Sequence, residues 1–202
     1  MVNIVEQYIK NNLQLIILIS GFSGSGKTLL AKNIEKDFKI NFVNLNDFFK
    51  SDYNEIVDLG HNIKVIDWDN PDAIDWDKFN DKVKSLKDSG IVISGFGFPN
   101  ERIKFKPNFH IYLKISKDKL IKNRHDYLDE NKDNPLNEIK DTKAELLILN
   151  NLSYKHFIDM KDKSTYTFRT DTTDQTPSET YDQIYDYLIE NIEKSVYFVN
   201  NK

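Results

Sequence analysis

Residues 21–28 read Gly-Phe-Ser-Gly-Ser-Gly-Lys-Thr and satisfy the spacing G-x-x-x-x-G-K-[ST] without a mismatch. Glycines at 21, 24 and 26 let the chain turn back with its N–H groups pointing inward. That makes a concave anion site at the start of the helix that follows. Lys27 is expected to bring a positive charge to the β- and γ-phosphates of a nucleotide, and the Thr28 hydroxyl to ligate Mg²⁺. The residues predicted to hold ATP are Gly21, Ser23, Gly24, Ser25, Gly26, Lys27, Thr28 and Leu29.

Other residue types suited to phosphoryl chemistry are sparse. Asp47 follows the apolar stretch 40–45, at what would be the carboxyl end of a strand, where ligands bind in open α/β sheets. A carboxylate there can accept the proton of an attacking hydroxyl or help hold Mg²⁺. Only three of the 28 basic residues are arginine, at 102, 124 and 169, and a planar guanidinium grips phosphate in a way that lysine does not. The four histidines, at 61, 110, 125 and 156, lack metal-ligand spacing and are expected to be ordinary residues. Guanine-nucleotide switches normally carry Asn-Lys-x-Asp; the nearest approach, Asn131-Lys-Asp-Asn134, lacks the final aspartate.

These residues need a scaffold. Apolar runs at 13–20, 40–45, 91–94, 110–115 and 166–169 are five strand candidates. Between them, periodic stretches predict helices over 27–38, 76–87, 117–127, 138–160 and 178–194. Alternating strands and helices imply a parallel sheet covered on both faces, so the expected fold is a three-layer α/β/α domain spanning 1–202. The polar stretch 129–137 reads as a loop or lid, and the lid segment is placed near 124–137.

Composition narrows the class. Thirty per cent charged and 39% hydrophobic residues describe a globular chain, and a net charge of −4 argues against nucleic acid as the main partner. The absence of cysteine excludes disulfides and thiolate metal sites and fits a reducing, cytoplasmic setting. The first apolar run is too short to span a bilayer, so no membrane partner is expected. The sequence leaves oligomeric state open.

Further motifs carry a resemblance. "NDFFK" (46–50) resembles the Asp-Asp-Phe-Phe-Lys or Asp-Ser-Phe-Tyr segment, and "WDNPDAID" (68–75) the Asp-His-Pro-Asp-Ala segment, of uridine kinases and nicotinamide riboside kinases. Both are P-loop nucleoside kinases. "IVISGF" resembles their third strand, "DKLIKNRHDYL" their arginine-bearing lid, and "LSYKHFIDMKDKSTYTF" the helix and last strand. The resemblance runs through nearly the whole chain in the family's order.

It implies transfer of the ATP γ-phosphoryl group to the 5′-hydroxyl of a ribonucleoside or riboside. On that reading Asp47 faces the hydroxyl and shares Mg²⁺ with Thr28, Asp69 binds the ribose hydroxyls, and Trp68 lies beside the base. Arg124 is then the lid arginine that neutralises the transferred group, with Lys122 a lesser candidate, and Arg169 passes the adenine. Asp72 is expected to cap a helix beginning near Ala73.

Two features depart from the family. Ser94-Gly95 stands where riboside kinases usually have Glu-Gly, and residues 84–90 run straight into the third strand without the hairpin uridine kinases use to read a pyrimidine. The alternatives are a catalytically silent nucleotide-binding module, or a P-loop kinase for another small metabolite such as pantothenate, a sugar phosphate or dephospho-coenzyme A.

Overall fold

Strand β1 (Ile16–Gly21) is apolar at almost every position because both of its faces are covered. Successive side chains alternate sides, so Ile17 and Ile19 enter one packed layer while Ile16 and Leu18 enter another. In this computed structural model, residues 4–60, 63–130 and 146–200 are described. His61, the distal part of the expected lid at 131–137 and the start of the expected helix at 138–145 lie outside the described residues.

The main sheet has five strands in the order β2 (Asn41–Asn44), β5 (Ile91–Gly95), β1, β6 (Phe109–Lys114) and β7 (Phe168–Asp171). Every pairing is parallel, with Ile17 opposite Val92 on one side and Phe109 on the other. The expected three-layer fold is therefore present. One face is covered by α1 (Ile4–Asn12), α2 (Lys27–Phe38) and α6 (Pro177–Asn200), through Val5, Leu30, Ile34, Ile184 and Leu188. The other is covered by α3 (Trp76–Leu86), through Trp76, Phe79 and Val83. A third apolar cluster, Phe22, Leu120, Leu149 and Phe157, joins the loop after β1 to α4 (Lys117–Glu130) and α5 (Tyr154–Asp162).

Two elements were not expected from the sequence. Helix α1 has two buried residues, Val5 and Tyr8, and the Tyr8 ring lies 6.1 Å from that of Phe109. The antiparallel hairpin of β3 (Ile56–Asp58) and β4 (Lys64–Ile66) follows β2 rather than α3. Its alternate residues are exposed, so it has no apolar pattern to announce it. As expected, nothing but a short 3₁₀ turn separates α3 from β5.

The expected long helix before β7 is interrupted. Residues Leu149–Ser153 form a π-helical turn that runs into α5. The expected cap is also corrected: Asp75 caps α3 by accepting from the Lys78 N–H at 3.1 Å, and Asn70 caps the preceding turn. Asp72 instead pairs with Arg102 at 2.6 Å on the surface. Among the described residues no helix is long and apolar enough to cross a membrane.

Candidate functional site

The loop between β1 and α2 sits at the carboxyl end of the central strand, where the chain crosses from one half of the sheet to the other. Gly24 and Gly26 take φ of +89° and +83°, a left-handed conformation in which a side chain would be strained. A Cβ on Gly24 would also come within 3.1 Å of the Leu120 carbonyl and of Cγ of Arg124, so α4 rests directly on the loop. The Asn123 amide donates to the Gly24 carbonyl at 2.9 Å and fixes that contact. Above Gly26 there is open space within 4 Å.

The loop is under-satisfied. The buried hydroxyl of Ser25 has no hydrogen-bond partner among the described residues. The Lys27 ammonium donates to the Phe22 carbonyl at 3.3 Å, and burial, reinforced by the Arg124 guanidinium, pushes its pKa down to about 8 despite Asp69 nearby. A polar atom without a partner and a partly desolvated cation are what an anion would relieve, so the residues present fit a nucleotide phosphate. Thr28 Oγ1 lies 3.4 Å from the hydroxyl of Ser94, at the end of β5. No carboxylate or histidine cluster for a metal occurs among the described residues. The hydroxyl pair suits Mg²⁺, which keeps several of its waters and needs few protein ligands.

The loop separates two clefts. On one side Ser25, Gly26 and Leu29 face Lys119, Asn123, Thr172 and Gln175 across a cleft of about 110 Å³. Lys119 donates to the carbonyls of Thr172, Thr173 and Gln175 at 3.1, 2.6 and 2.7 Å, tying α4 to the loop after β7. Arg169, expected to pass the adenine, does not line this cleft; its guanidinium lies 4.9 Å above the ring of Tyr166.

On the other side, Ser23 and Lys27 face Asn46, Trp68, Asp69 and Asn70 across a cleft of about 80 Å³. The indole of Trp68 is 40% exposed and is propped edge-on by Phe49 and at a tilt by Tyr53, with ring centroids at 5.2 and 5.6 Å. Asp69 accepts from the Ser153 hydroxyl at 2.5 Å. Burial raises its pKa, while Ser153, Arg124 and His156 pull it back toward the ionised form. Asp67, two residues earlier and 4% exposed, accepts from His156 Nε2 at 2.7 Å. That bond raises the pKa of His156, so the imidazolium is favoured. The second oxygen of Asp67 is buried without a partner among the described residues.

Lys27, Trp68, Asp69 and Arg124 are thus brought together around the loop, as the sequence suggested. Asp47 is not among the residues lining the cleft: it is exposed on the 3₁₀ turn after β2, and its neighbour Asn46 forms the wall. His156, expected to be an ordinary residue, belongs to the site through Asp67, and Ser153 and Lys119 were not foreseen. The spacing 153, 156, 160 puts Ser153, His156 and Met160 on one helical face, a pattern visible in the sequence only once the carboxylates opposite are known. His110 is structural: its Nδ1 donates to the Thr165 carbonyl and its Nε2 accepts from Ser20, and burial lowers its pKa to about 4.

No family model matches this sequence, and no curated protein matches it. Solved structures do. A protein provisionally assigned as a fructose transport system kinase, from Silicibacter sp. TM1040, superposes with a TM-score of 0.56 at 12% identity, covering 84% of this chain and 99% of its own. A gluconokinase from Sinorhizobium meliloti 1021 gives 0.56 at 14% identity, covering 92% and 97%. An uncharacterized protein from Eubacterium ventriosum ATCC 27560 gives 0.53 at 18%, covering 88% and 99%. At such identities the likeness shows the fold alone, an α/β domain shared with these three structures.

Proposed function

We propose that this protein is an ATP-dependent phosphotransferase acting on a hydroxyl of a small, polyhydroxylated acceptor such as a sugar or sugar acid. The observation that carries this reading is Asp69, a carboxylate held by Ser153 beside Lys27 and within the field of Arg124. The loop amides and Lys27 would hold the phosphates, and Thr28, with Ser94 behind it, would hold Mg²⁺. When bound, Mg²⁺ neutralises phosphate charge. Asp69 accepts a hydrogen bond from the acceptor hydroxyl and takes its proton as the oxygen bonds to the γ-phosphorus; the bond to the ADP oxygen breaks, and Arg124 offsets the charge on the transferring group.

The acceptor class rests on the cleft and on the names of two structural neighbours, a gluconokinase and a protein provisionally assigned to fructose transport. Asp69, Asn46 and Asn70 offer hydrogen bonds to several hydroxyls, and the Trp68 indole offers a surface for the apolar face of a sugar ring.

The test is ADP release from ATP and Mg²⁺ over a panel of gluconate, fructose, other sugars, pantothenate, uridine and nicotinamide riboside, with Lys27→Ala as control. Turnover with a sugar or sugar acid is expected. Turnover confined to a riboside would restore the nucleoside-kinase reading, and ATP binding without any turnover would favour a silent nucleotide-binding module.

A further inference from the structure

Helix α5 has two working faces. Ser153, just before it, with His156 and Met160 turns toward Asp67, Asp69 and the acceptor cleft. Tyr154, Phe157, Ile158 and Lys161 turn the other way, into a cavity of about 820 Å³ enclosed with α4, β6 and β7. Neither the phosphate loop chemistry nor the acceptor cleft uses this space.

Its lining combines two properties. Phe22, Tyr112, Tyr154 and Phe157 supply aromatic walls, with ring centroids of Phe22 and Phe157 5.1 Å apart and those of Tyr112 and Phe157 5.9 Å apart. Lys114, Lys117, Lys161 and Arg169 supply four cations against a single carboxylate, Asp171, in a chain whose net charge is −4. That carboxylate is already engaged by Lys114 at 2.6 Å. Lys161 pairs with Asp162, which lies outside the lining, and among the described residues Lys117 bonds to the neutral amide of Asn150. Arg169 has no carboxylate partner among the described residues and rests over Tyr166.

An apolar cavity with convergent cations and few competing anions is suited to a ligand that is both flat and negatively charged. We propose that this cavity is a second binding site, for a small anionic molecule carrying an aromatic or similarly flat apolar group. The anion meets Arg169 and Lys161, and the ring lies against the wall formed by Tyr112, Phe157 and Ile158. Because Phe22 forms part of the wall and its carbonyl accepts from both Lys27 and the Ser25 N–H, an occupant presses on the same loop that would hold the phosphates.

The probe is anilinonaphthalene sulfonate, titrated by fluorescence with ATP and Mg²⁺ present in excess so that the nucleotide cleft is filled. Saturable binding of one dye per chain is expected. Arg169→Glu should weaken it by about tenfold, the loss of one charge-assisted contact. Ile158→Trp, which fills the cavity from a half-buried position, should abolish it. Lys36→Glu, the same charge change on the exposed face of α2, should leave it unchanged, with circular dichroism confirming that each variant is folded. Absence of saturable binding would overturn the proposal, as would equal affinity in all variants or displacement of the dye by ATP.

Discussion

The two sides of the phosphate loop are built by different means. On the nucleotide side, recognition belongs to a short local segment: eight consecutive residues supply the turn, the amides, the cation and the hydroxyl. On the acceptor side, Asp67 and Asp69 come from the segment after the β3–β4 hairpin, Ser153 and His156 from a segment some 85 residues later, and Lys27 from the loop itself. A phosphate is the same in every nucleotide, so one backbone solution serves. An acceptor is particular, and its site is assembled from distant side chains whose geometry depends on packing. The first side should therefore fail abruptly when a single residue is lost, and the second in graded steps.

Lys27→Ala should give the largest effect, a fall in ATP turnover of about 10³-fold, because it removes a preorganised charge from the transferring phosphates. Stability should move the opposite way. The pKa of Lys27 is lowered to about 8 from 10.5, so the charged form is disfavoured in the fold; its cost is fully present below pH 8 and disappears as pH rises toward 10.5. Lys27→Met should thus raise the melting temperature at pH 7, by on the order of 2 kcal/mol of stability, and by progressively less above pH 8. An unchanged melting temperature in calorimetry would mean that Lys27 is not strained without ligand.

Asp69→Asn comes next, with turnover lower by about 10²-fold and ATP affinity preserved, the loss of a proton acceptor rather than of phosphate binding. Asp47→Asn should cost less than about tenfold on the same scale, since Asp47 lies outside the cleft wall. The reverse ranking in steady-state kinetics would return the base to Asp47.

Ser94→Ala should raise the Mg²⁺ concentration needed for half-maximal turnover by about tenfold, as expected for a group that orients a metal ligand through the Thr28 hydroxyl. His156→Gln should act more gently, raising the acceptor KM several-fold with little change in kcat. Its pKa is raised by Asp67, so its contribution is complete below the ordinary value of 6.5 and is lost as pH climbs through the raised value. In the wild type the acceptor KM should therefore rise with pH over that window, and in His156→Gln the slope should vanish.

This contrast also explains what could be read from the chain. All five strands of the main sheet, the helix from Lys27 to Phe38 and the loop before it were legible because each has a local signature: apolar residues bounded by polar or turn residues, 3.6-residue periodicity and glycines at positive φ. The hairpin was not, since its register rests on exposed residues and a turn at Gly60 rather than on an apolar pattern. Asp69 and Trp68 were found only through resemblance to a short motif. Ser153 and His156 carried no signal of their own, because what gives them a role is a carboxylate more than 80 positions away. Asp47 shows how far a position after a strand can be read: the 3₁₀ turn Leu45–Phe48 leaves it exposed beside the cleft and puts its neighbour Asn46 in the wall.

The central claim is that Asp69 marks an acceptor site beside an ATP-binding loop. Its most direct test measures two quantities on one pair of proteins, wild type and Asp69→Asn: the ATP dissociation constant by calorimetry, and ADP release with the best acceptor from the sugar and riboside panel. The account predicts equal ATP affinity and acceptor-dependent turnover that falls by about 10²-fold in the variant. Equal turnover in both proteins would contradict it, as would ATP binding in the wild type with no acceptor-stimulated ADP release at all.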